Sequence, residues 1–174
     1  LVRTEIIEER GNSMTGNVGP LEETSDVGPP SATVTRSFDL SAEIVFDAWL
    51  VPELIERWMF GQVLPDEVLH IKVDPRVGGA FSFLVRREGE EIDHVGTYRV
   101  IERPNKLVFT WGIAGESDED SVVTITIDRE GAGCRLTLVH ELDPAWAAYV
   151  AQTEDAWTKM LDVLATRVPP PPRA

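Results

Sequence analysis

One cysteine and three histidines are all the thiol and imidazole groups that 174 residues offer to a disulfide or a metal. With Cys134 alone, an intrachain disulfide is excluded, and so is any zinc site built on several cysteines. Bases are scarce as well: 16 Lys and Arg stand against 30 Asp and Glu, a formal net charge of -14. A surface of that sign repels phosphate backbones and anionic lipids, so neither nucleic acid nor a membrane is expected as a partner. No apolar run approaches the ~20 residues of a membrane span. The first residues are not basic and then apolar, so no secretory signal is expected, and a cytoplasmic location is the default. No serine sits in a nucleophile elbow, and no glycine loop leads into a phosphate-binding lysine. His70, His94 and His140 lack the spacing of metal ligands, so neither a metal nor a cofactor is expected.

What is present is the composition of an ordinary globular chain. Hydrophobic residues at 43% and charged residues at 26% suffice for one core and exclude a coiled-coil or wholly disordered reading. Residues 1–31 are broken by Gly11, Gly16, Gly19, Pro20, Gly28, Pro29 and Pro30, and carry six acids against two bases. They read as a flexible acidic arm. Residues 32–168 carry the hydrophobic patterning of the domain. Residues 169–174 open on four consecutive prolines, a proline-rich tail that stops any helix.

Within the domain, residues 32–40 alternate as a strand, with Val34, Arg36 and Phe38 opposite Thr33, Thr35 and Ser37. Ser41 is a natural N-cap, and Ile44, Val45, Ala48 and Trp49 follow at helical spacing. Pro52 opens a second short helix whose apolar side is Leu54, Ile55, Trp58 and Met59. Six strands follow, at 68–73, 80–87, 94–102, 107–111, 122–128 and 134–142, an antiparallel meander by its turns at Gly78-Gly79, Pro104-Asn105 and Gly131–Gly133. Period two sends His94, Gly96, Tyr98 and Val100 inward. Glu88, Glu90, Glu91 and Asp93 read as a solvated hairpin tip, and residues 115–120 as an acidic loop. From Pro144 to Arg167 nothing interrupts a helix capped by Asp143, roughly 36 Å long. Its stripe of Trp146, Tyr149, Trp157, Met160, Leu161, Leu164 and Val168 should lie against the concave face of the sheet.

The order strand, two short helices, six strands, long helix is that of an α+β helix-grip fold: a curved antiparallel sheet wrapped around a C-terminal helix. Local sequence sharpens the likeness. The stretch from Ser41 through Trp49, with Pro52-Glu53-Leu54 and Trp58, resembles the opening of the START-like (SRPBCC) superfamily. The glycine-pair strand from Asp74 to Phe83, the hairpin from Gly96 to Trp111, and Ala156-Trp157 with Leu161 and Leu164 are similar to the branch named for the C-terminal domain of activators of the heat-shock protein 90 ATPase. That branch usually carries Gly-Trp where this chain has Ala156-Trp157, and the added methyl narrows any cavity beside the helix. The superfamily includes small-molecule carriers, cyclases, self-resistance proteins and co-chaperones. The resemblance therefore implies the fold, and the function must come from the site.

The inward aromatics are the informative feature. Trp49, Trp58, Phe81, Phe83, Tyr98, Trp111 and Trp157, with Met160 and Leu161 from the helix, are expected to wall an apolar cavity for a small aromatic or polycyclic molecule, with His140 as its polar anchor. Were the chain an enzyme, of cyclase, dehydratase or hydrolase type, His94, Tyr98 and His140 would be its acid–base set. His70, near an edge and among charges, is a weaker candidate, and Arg57, Arg86 and Arg87 could meet an anionic ligand. A homodimer through the sheet edge and a protein partner of the co-chaperone kind are the remaining partner readings.

Overall fold

The computed structural model describes residues 27–116 and 121–169. Most of the expected acidic arm, part of the acidic loop and the tail beyond Pro169 lie outside the described residues. The elements are β1 (Ser31–Phe38), α1 (Ala42–Asp47), α2 (Pro52–Trp58), β2 (Glu67–Val73), β3 (Ala80–Arg87), β4 (Glu90–Glu102), β5 (Lys106–Ile113), β6 (Ser121–Glu130), β7 (Gly133–Glu141), a 3₁₀ turn (Pro144–Tyr149) and α3 (Val150–Arg167). This is the α+β helix-grip arrangement.

The seven strands form one curved antiparallel sheet in the order β1-β7-β6-β5-β4-β3-β2. Strands β1 and β2 are thus neighbours in sequence and opposite edges in space, and α1 and α2 span the distance between them. Ser41 caps α1 by accepting from the Ile44 amide at 3.4 Å, and Pro52 sits at the start of α2, where its missing N–H costs nothing. α3 lies across the concave face and buries Trp157, Leu161 and Leu164 against β1 and α2. Two residues of β1, Arg36 and Thr33, fix it to that edge of the sheet. The Arg36 guanidinium donates to the Leu161 carbonyl at 3.2 Å, and Glu154 accepts the outward Thr33 amide at 3.0 Å. The second contact also occupies a strand-edge donor that could otherwise pair with another chain.

Three local features depart from the sequence expectations. β4 begins at Glu90, four residues early, because the hairpin tip is only Glu88-Gly89, both at positive φ (52° and 87°) as a tight two-residue turn requires. The acidic run is tolerated in a strand because Arg86 and Arg87 stand directly opposite Glu91 and Glu90. In β4 a bulge at Arg99 shifts the register between Tyr98 and Val100, so Ile101 rather than Val100 packs against the core. Finally, the expected single helix starts as a 3₁₀ turn, and Trp146 and Tyr149 stay 53% and 48% exposed. They lie beyond the part of the helix that packs on the sheet, so the apolar stripe has no surface to cover there.

Candidate functional site

The aromatic interior is filled. Trp58 is fully buried and donates its indole N–H to the Ala48 carbonyl at 2.9 Å. Trp49 packs edge-on against it, with ring centroids 4.7 Å apart, while Phe81 and Phe83 stack at 4.6 Å. Between Trp49, Phe81, Phe83, Tyr98, Phe109 and Trp111 only about 10 Å³ of space remains, at most one water's worth. The Trp49 indole N–H and the Tyr98 hydroxyl border that space without a hydrogen-bond partner, and burial pushes the Tyr98 hydroxyl well above the usual phenol range. Leu161 is likewise fully buried. Five expected walls, Trp49, Trp58, Phe81, Phe83 and Leu161, are therefore core side chains.

The room is at one end of the grip, around Trp111. On one side a depression of about 360 Å³ is lined by Trp111, His140, Trp146, Tyr149, Trp157 and Met160. On the other a smaller pocket of about 110 Å³ is lined by Phe60, Leu64, Asp66, Arg87, His94 and Met160. Trp111, Ala156 and Met160 border both. The methyl of Ala156 thus lies on the partition between the two spaces.

The two inward histidines have opposite environments. His140 is fully engaged. Its Nδ1 accepts the Trp157 indole N–H at 3.0 Å, and its Nε2 lies 2.6 Å from Ser121 Oγ. Ser121 Oγ donates onward to the Trp111 carbonyl at 2.8 Å, so the ring must be neutral with its proton on Nε2. Burial lowers its pKa to about 4. His94 is 9% exposed, and neither of its ring nitrogens has a protein partner. Its ring stacks on both Phe60 and Trp111, each with centroids 5.2 Å away. Burial, and secondarily the Arg87 charge, lowers its pKa to about 4. The Arg87 charge is itself held by Asp66 through two bonds of 2.6 and 2.9 Å.

His94 and His140 are not a pair. The rings run His94, Trp111, Trp157, His140, with neighbouring centroids 5.2, 5.9 and 6.0 Å apart, so two indoles separate the imidazoles. Tyr98 shares β4 with His94 but faces the small inner space. His70 lies on the convex face, 2.8 Å from Ser82 Oγ, which donates to Asp93 at 2.7 Å. With its proton directed at Asp93, that serine is not primed as a nucleophile by the histidine. Arg86 pairs with Glu67 and Glu91 at the surface, and Arg57 is exposed. Among the expected ligand-lining residues, Trp111, His140, Trp157 and Met160 come together. Sequence reasoning missed Phe60, Asp66 and Ser121. Phe60 was signalled by the apolar run Trp58-Met59-Phe60, whereas Asp66 and Ser121 acquire their roles only through partners 21 and 19 residues away.

A family model described as Activator of Hsp90 ATPase homolog 1-like protein matches residues 39–168. Protein CV1439 from Chromobacterium violaceum is 25% identical with a TM-score of 0.70, over 82% of this chain and 99% of that one. The AHSA1-like protein from Aeromonas hydrophila is 22% identical with a TM-score of 0.67, over 79% and 91% of the two chains. CalU16 from Micromonospora echinospora is 25% identical with a TM-score of 0.60, over 80% and 76%. No curated protein sequence matches.

Proposed function

This chain belongs to the Activator of Hsp90 ATPase homolog 1-like protein family, a branch of the START-like superfamily, and from that premise we propose that it binds a small hydrophobic molecule, aromatic or polycyclic, at the end of its helix grip. One observation carries the reading. Trp146 and Tyr149, their rings 5.2 Å apart, stay about half exposed at the rim of a depression floored by Trp111 and Trp157. Large aromatic side chains left in water around a concavity mark a surface that gains by being covered, and about 360 Å³ falls within the size range of small-molecule sites.

The chemistry of the walls sets the ligand class. Apart from Gln152 and Thr153, the side chains at this depression are aromatic or aliphatic, and the polar atoms of His140 are already spent on Ser121 and Trp157. His140 therefore acts as the brace that fixes the Trp157 indole, and the ligand is held by stacking and burial. With 30 acids on the chain, anionic ligands are disfavoured and neutral ones favoured. Among the described residues no helix is long and apolar enough to cross a membrane.

The test is a titration with Nile red, a neutral polycyclic dye, followed by its emission and by tryptophan quenching. Saturable uptake of one dye per chain is expected. Trp146→Ala and Tyr149→Ala should each weaken it about fivefold or more while leaving the thermal midpoint unchanged, since both side chains are exposed. Absence of saturable uptake by the wild-type chain, or full affinity in both variants, would sink the reading.

A further inference from the structure

The 110 Å³ pocket around His94 is built differently from the depression beside it. The imidazole is a buried polar ring with both nitrogens unpartnered, and it lines this pocket. Phe60 and Trp111 both stack on it at 5.2 Å, which leaves the ring edge, where the nitrogens point, for a partner. The nearby charges cancel, because Arg87 is chelated by Asp66, whose side chain is almost completely buried. A neutral imidazole offers one donor and one acceptor. The group that complements it in an uncharged pocket is a hydroxyl, which can also do both. Carboxylates and phosphates would have to displace Asp66 from Arg87, and an ammonium would find a single neutral acceptor nitrogen, with the Asp66 carboxylate already held by Arg87.

The partition between the two spaces is thin and partly movable. It consists of Trp111, Ala156 and Met160. Met160 is half-buried on α3, and its unbranched thioether has three rotatable bonds. Ala156 contributes only a methyl. We infer that the two spaces are one binding cleft closed in the middle by Met160, and that it takes an elongated apolar molecule ending in a neutral hydroxyl, with its body against Trp146, Tyr149 and Trp157 and its hydroxyl on His94.

This inference rests on the binding proposal and deepens it. The paired probes are 4-phenylphenol and its methyl ether, 4-methoxybiphenyl, which keeps the biphenyl body, adds one methyl and loses the donor. His94→Phe preserves the ring stacked on Phe60 and Trp111 and removes both nitrogens. The wild-type chain should bind 4-phenylphenol about threefold to tenfold more tightly than the ether. His94→Phe should abolish that preference by weakening the phenol alone. Met160→Trp, which plugs the partition, should weaken both. In the wild-type chain, 4-phenylphenol should shift the NMR resonances of the His94 ring and leave those of His70 in place, a readout that needs no variant to fold.

If the wild-type chain takes up neither compound, the binding proposal falls and takes the inference with it. If both bind but His94→Phe changes neither affinity, or the His94 resonances do not move, the inference alone is overturned and binding in the outer depression stands.

Discussion

Trp157 donates its indole N–H to His140 Nδ1 at 3.0 Å, and this bond joins the long helix to the seventh strand under the floor of the candidate site. An indole can only donate, so the bond requires a neutral imidazole. The neutral ring in turn reaches Ser121 and the Trp111 carbonyl. One polar chain thus fixes the Trp157 indole and the Trp111 backbone at the floor of the outer depression. Replacing His140 by Phe leaves the Trp157 N–H buried without an acceptor, at a cost of about 1–3 kcal/mol. Urea denaturation of His140→Phe, Trp157→Phe and the double variant measures the coupling. A coupling of at least about 1 kcal/mol is expected, and simple additivity would show that the bond contributes nothing.

Acid should weaken the fold through both buried histidines. Each has a folded pKa of about 4, whereas an unfolded histidine titrates near 6.5. The folded state disfavours the proton, so the contribution is complete above pH 6.5 and is lost as the pH falls toward 4. The charges that act on His94 are Arg87, which lowers its pKa, and Asp66 and Asp93, which raise it. Urea midpoints between pH 8 and pH 4 should fall less in His94→Phe than in the wild type; identical profiles would contradict the assignment. Arg87→Gln removes the lowering charge and frees Asp66, so an NMR titration should find the His94 pKa higher in that variant.

Gly96 allows Phe81 to cross β4. A Cβ built there lies 2.0 Å from the Thr110 carbonyl oxygen and 2.5 Å from Phe81 Cζ. The carbonyl is backbone of β5 and cannot swing aside as a flexible side chain would. Gly96→Ala should therefore destabilise by about 3 kcal/mol or prevent folding. Gly28→Ala, with nothing within 4 Å of the added carbon, should leave the thermal midpoint where it was.

Ala156→Gly tests the partition from the other side. The change costs helix stability, about 1 kcal/mol at a solvent-exposed position. It removes the methyl from the rim of both spaces, so the affinity for Nile red should hold or rise while the thermal midpoint drops. A loss of affinity would show that the methyl is a contact surface for the ligand and not an obstruction.

The sequence by itself determined the fold. Period-two alternation, the Ser41 cap, Pro52 and the glycine turns are local signals, and they suffice to place seven strands and three helices because each element's pattern reflects its own burial. The same alternation put His94, Tyr98 and His140 on the inward face, where they are. Where local signals misled, a long-range contact had intervened: Arg86 and Arg87 opposite Glu91 and Glu90 carry β4 back to Glu90, and the register shift at Arg99 turns Ile101 to the core. Only the tertiary structure decided which aromatics are core and which line open space, because that depends on how tightly α3 closes on the sheet. The rings from Trp49 to Phe109 interlock until about 10 Å³ is left, while Trp146 and Tyr149 overrun the packed length of the helix. The two histidines, equivalent in pattern, were separated in the same way. Ser121 and Trp157 satisfy His140, and two aromatic faces leave His94 with its nitrogens free.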